Sequence, residues 1–75
     1  MNTHSKVYIY KNNFNSMKKE NFLKVYSNLP INLRKEIILI IDKQPITWEV
    51  AYLEVKNETK LGEKILNKLN ELRII

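Results

Sequence analysis

Ile37-Ile38-Leu39-Ile40-Ile41 is the most apolar run of this chain, and its reading decides the fold. It lies inside Leu29–Val55, which also carries the only tryptophan, Trp48, and both prolines, Pro30 and Pro45. Two geometries compete for it. Leu33, Ile37, Ile40 and Ile41 stand at i, i+4, i+7 and i+8, a helical stripe. Pro30 suits a first helical turn, and Arg34, Lys35 and Glu36 are good helix formers. Against this, four isoleucines in five positions favour a buried strand. Asp42-Lys43-Gln44 would then close a hairpin onto Pro45-Ile46. Lys43-Gln44 is poor chemistry for a two-residue turn, which favours Asn-Gly or Gly at positive φ. The balance favours a helix over Ile31–Asp42, with a strand over Ile37–Ile41 as the alternative.

Towards the C-terminus the signals are plainer. Thr47 is a strong N-cap for a helix whose apolar face is Trp48, Ala51, Tyr52 and Val55, and Glu49 in its first turn favours the helix dipole. Asn57-Glu58-Thr59 interrupts and restarts. Leu61, Ile65, Leu69 and Leu72, widened by Leu66, form the apolar face of a last helix. Gly62 in its first turn costs about 1 kcal/mol relative to alanine, and leaves room for another backbone to approach. Ile74 and Ile75 follow, fit to dock on the core or in a partner's groove.

Towards the N-terminus, Leu29-Pro30 ends a helix from about Met17 to Asn28, because Pro30 disfavours helical geometry at the residue before it. Phe22, Val25, Tyr26 and Leu29 share its apolar face, and Ser16 is its expected N-cap. Asn12 to Ser16 reads as a turn-rich linker. Lys6-Val-Tyr-Ile-Tyr-Lys11 alternates: Val7 and Ile9 face one way, Tyr8 and Tyr10 the other. That period of two reads as a short strand, which needs a partner strand. Met1 to Lys6 is polar and expected to be disordered.

The chain of 75 residues makes one small domain spanning 1–75, and with no cysteine it has no disulfide or thiolate-metal staple. The expected fold is mainly α: a short N-terminal extended segment followed by three or four short helices. Its core is expected around Phe22, Leu33, Ile37, Ile40, Trp48, Tyr52, Ile65 and Leu69. No apolar run approaches the roughly 18 residues of a spanning helix and no leader pattern is evident, so a soluble, cytoplasmic protein with no membrane association is expected.

Little in the sequence suggests chemistry. His4 is the only histidine. Glu49 and Glu54, five residues apart, do not share a helical face well. No phosphate loop, nucleophile set or ligand cluster is present, so neither an enzyme nor a cofactor or metal is expected. The net charge of +5 is carried by lysine, with Arg34 and Arg73 the only arginines. Specific base readers favour arginine's planar fork. Lys60, Lys64 and Lys68, at i, i+4 and i+8, form a basic ridge on the last helix. With Lys18, Lys19 and Arg34 they are the candidate contacts to nucleic acid or to an acidic partner. Val7, Tyr8, Ile9, Tyr10, Ile74 and Ile75 are the candidate partner interface. The leading expectation is a non-catalytic interaction module, an accessory or antitoxin-like subunit binding a larger protein of a nucleic-acid-associated complex, with a homodimer as a variant. The alternative is direct, sequence-nonspecific binding of DNA or RNA.

Overall fold

Asp42 and Lys43 settle the ambiguity of the isoleucine run. In the computed structural model, which describes residues 14–75, both adopt positive φ, 51° and 68°. They form the two-residue loop of an antiparallel hairpin between β1 (Ile37–Ile41) and β2 (Gln44–Thr47). Two successive left-handed residues are what a type I′ turn requires, and its twist matches that of the strands. The helix favoured over Ile31–Asp42 is therefore corrected: only Ile31–Leu33 is helical, as a single 3-10 turn, and Ile37–Ile41 is the strand. The physical reason is burial. In the pleated strand Leu39 and Ile41 point inward with Ile46 of β2, while Ile40 stands opposite Pro45 and faces out.

The described residues also form three α-helices: α1 (Ser16–Ser27), α2 (Trp48–Lys56) and α3 (Lys60–Glu71). The fold is thus mainly α with a small two-stranded sheet. The expectations for residues 1–6 and for a strand over Val7–Tyr10 fall outside the described residues.

Local side chains fix the helix ends. Asn15, rather than Ser16, caps α1, its Oδ1 accepting from the Lys18 N–H at 2.9 Å. Thr47 caps α2 through the Val50 N–H at 3.1 Å, and Thr59 caps α3 through the Gly62 N–H at 2.9 Å. Both α2 and α3 finish in Schellman motifs. Thr59 N–H reaches the Glu54 carbonyl and Glu58 N–H that of Val55; Ile74 N–H reaches Leu69 and Arg73 N–H reaches Asn70. The left-handed positions in these motifs are Glu58 and Arg73.

One buried cluster unites the elements. Phe22 and Tyr26 come from α1, Leu39, Ile41 and Ile46 from the hairpin, Ala51 and Val55 from α2, and Ile65, Leu66 and Leu69 from α3. Trp48 and Tyr52 pack against this cluster and remain partly exposed. Phe22 stacks on both Tyr26 and Trp48 at 6.0 Å, and Tyr26 on Tyr52 at 4.5 Å. Leu33, Ile37 and Ile40, expected in the core, are exposed instead. Leu33 belongs to the 3-10 turn, Ile37 to the start of β1 beside a register irregularity, and Ile40 to the outer face of the hairpin.

Candidate interaction surfaces

Two surfaces follow from this packing, one apolar and one basic. The apolar one starts where the hairpin joins α2. The Trp48 N–H donates to the Glu36 carbonyl at 3.2 Å, and the Glu49 N–H to that of Arg34 at 2.9 Å. These bonds seat the first turn of α2 against residues 34–36. Ile31 and Leu33 precede that contact, and Ile37 follows it, paired with Thr47. Val50 and Leu53, three apart on α2, share its exposed face. Ile31 is 79% exposed, Ile37 60% and Leu53 50%, far from the burial their side chains favour. Ile40, 68% exposed, lies opposite Pro45 on the outside of the sheet. Exposed large apolar side chains, where they gather, mark interaction sites in soluble domains.

The basic residues do not form a single patch. Lys60, Lys64 and Lys68 run along the solvent side of α3 as the spacing requires. Lys64 Nζ lies 2.9 Å from Asp42 Oδ2, tying α3 to the hairpin turn, and Lys68 lies 3.7 Å from Glu71. Lys18 donates to Asn67 Oδ1 at 2.9 Å, so it joins the ridge between Lys64 and Lys68. Lys19 turns elsewhere, to Glu58 at 2.7 Å beside the α2–α3 connection. Arg34 is apart from both. Its guanidinium stacks over Tyr26 at 4.4 Å, and its Nε is buried without a hydrogen-bond partner. Such stacking gives Arg34 a packing role. Of the six basic residues singled out by sequence, the fold gathers Lys18, Lys60, Lys64 and Lys68, and separates Lys19 and Arg34.

At the C-terminus Ile75 packs against the protein's own core, while Ile74 is 41% exposed. Val7, Tyr8, Ile9 and Tyr10 lie outside the described residues. The apolar strip around Ile31, Ile37 and Leu53 was not singled out from the sequence. Leu33 and Ile37 read as core in a helical stripe, and the 3-10 turn and the strand leave them exposed instead, whereas Ile31, Val50 and Leu53 stand off the apolar faces read from the sequence. Among the described residues there is no group of three metal-ligating side chains, and no helix is long and apolar enough to cross a membrane. No protein-family model, curated protein or solved structure matches this chain.

Proposed function

We propose that this protein is a non-catalytic interaction module that docks a larger protein as an accessory or antitoxin-like subunit. The observation that carries this reading is the exposure of the large apolar side chains Ile31, Leu33, Ile37, Val50 and Leu53 around the junction of residues 34–36 with α2. A small domain has little apolar surface to spare from its core, so leaving these side chains in water costs stability that a partner would restore. The net charge of +5 supports a partner that is itself associated with nucleic acid. The test is capture from the native lysate with wild type and with the double variant Ile37→Glu/Leu53→Glu. Both positions are exposed, so the variant should fold as wild type does. The reading expects a defined protein retained by wild type and lost by the variant. Equal retention by both would refute it.

A second reading, direct binding of DNA or RNA, draws on the convergence of Lys18, Lys60, Lys64 and Lys68 along α3. It makes a separate prediction. Affinity for random oligonucleotides should fall with salt at a log–log slope of about −0.9 per phosphate contact on duplex. The variant Lys60→Gln/Lys64→Gln/Lys68→Gln should reduce that slope by roughly 2–3. A salt titration of both proteins decides it: no binding at low salt, or an unchanged slope in the variant, removes this reading.

A further inference from the structure

The exposed side of α2 carries its charges in an order that a second copy of the chain completes. Glu49, Val50, Leu53 and Lys56 are exposed, while Ala51 and Val55 turn into the core. At i, i+1, i+4 and i+7 these four share one face of the helix. Leu53 is 50% exposed and Val50 37%. Glu49 precedes Leu53 by roughly 6 Å of helix, and Lys56 follows it by roughly 4.5 Å. An apolar centre is thus flanked by a carboxylate at one end and an ammonium at the other.

We propose that this face packs on the same face of a second copy, α2 against α2, antiparallel about a two-fold axis at Leu53. A contact of this kind is self-complementary, because each copy offers and receives the same residues. Leu53 meets its equivalent at the axis. Val50 meets the aliphatic stem of Lys56 of the second copy, and the ammonium reaches Glu49. The two-fold repeats this pairing, so the charges at both ends of both helices are matched. A parallel pair would set Glu49 against Glu49 and Lys56 against Lys56, and like charges face to face oppose association. Lys56 Nζ lies 5.8 Å from the centre of the Tyr52 ring. That is near the limit of about 6 Å for a cation–π contact, so the ammonium is loosely held and its hydrogen-bond donors can serve a carboxylate.

Charge complementarity is what selects this occupant. The chain carries +5 overall, so two copies repel each other in a random approach. The exposed face of α2 is balanced within itself, and its opposite ends attract in the antiparallel register. Ile37, 60% exposed and paired with Thr47 just before α2, adds apolar surface at the end that receives Lys56 of the second copy. A helix of nine residues makes a small interface. Small interfaces belong to weak, transient association, so the dimer forms at high protein concentration.

The inference concerns the purified protein alone, and its failure would leave the capture of a larger partner untouched. Sedimentation of wild type from about 10 μM to about 1 mM, the range of weak association, should show a monomer–dimer equilibrium. Glu49→Lys and Lys56→Glu should each stay monomeric, because each sets like charges together at both contacts. An equimolar mixture of the two variants should dimerise again. The mixed dimer pairs the new lysine of one chain with the new glutamate of the other and keeps the native Glu49–Lys56 pair at the second contact. Wild type that remains monomeric throughout overturns the proposal and gives the face to a different protein. Dimerisation that survives the single reversals, or a mixture that stays monomeric, overturns it too. Disulfide capture covers the case in which a reversal unfolds the helix, since the chain has no cysteine of its own. On mild oxidation Leu53→Cys should form linked dimers about tenfold faster than Leu72→Cys, through the raised effective concentration of thiols held together. Leu72 is 53% exposed, so access to the two positions is alike. Equal rates would contradict the pairing.

Discussion

Gly62 shows how much rests on one missing atom. A Cβ there would lie 2.7 Å from the Glu54 carbonyl carbon and 3.1 Å from Val55 Cα, and would overlap the Glu54 oxygen. All three are backbone atoms, so no side chain can move aside. Alanine would gain about 1 kcal/mol of helix propensity, yet overpacking against a fixed backbone costs roughly 1–3 kcal/mol. The Gly62→Ala variant should therefore be less stable than wild type despite its better helix former, seen as a lower denaturant midpoint at unchanged m-value. A midpoint at or above wild type would show that α2 and α3 separate freely. The sequence hinted at this contact, because a lone glycine in a first helical turn has a cost that close approach offsets. The aromatic residues were legible only in part. Trp48 drew attention as the single tryptophan, but among the described aromatic residues Phe22 is the one fully buried, stacked between Tyr26 and Trp48. Phe22→Ala is expected to cost about 3–5 kcal/mol, and Trp48→Ala less, by thermal or chemical unfolding of the two variants side by side.

At the scale of elements, helix starts were easier to read than the strands. Thr47 caps a helix as its position implies, and the apolar faces of α1 and α3 follow their periodicity except at Leu72, which is the exposed C-cap of α3. The isoleucine run misled because its spacing fits a helix while its β-branched content fits a strand, and the turn that decides between them lacks glycine. The chain has one glycine, in α3, so the four left-handed positions among the described residues fall to Asp42, Lys43, Glu58 and Arg73. A non-glycine residue held there costs about 1–2 kcal/mol. Lys43→Gly should relieve that strain and stabilise the protein, by roughly 0.5–1 kcal/mol once the greater freedom of glycine in the unfolded chain is subtracted. The Lys64–Asp42 contact lies on the neighbouring residue and should be unaffected. Destabilisation by Lys43→Gly, measured by thermal unfolding, would contradict the type I′ hairpin and reopen the helical reading of Ile31–Asp42.

For the whole molecule, the fold distributes charge and apolar surface in a way the linear chain conceals. Arg34 and Lys19, grouped with the basic ridge by type, are drawn into packing on Tyr26 and pairing with Glu58. Ile31, Ile37 and Leu53 are turned to solvent instead. The proposed function rests on this exchange: it assigns partner binding to the apolar surface, while Lys18, Lys19 and Lys64 tie elements of the fold together. Exposed ion pairs and phosphate contacts weaken as salt rises, whereas apolar docking does not. The most direct test is capture from the native lysate at about 50 mM and about 500 mM salt, roughly threefold apart in screening length, with wild type and Ile37→Glu/Leu53→Glu. The proposed function expects the same protein on wild type at both salts and on the double variant at neither. Retention confined to low salt, and equal for the two proteins, would contradict it and assign the binding to the lysine ridge.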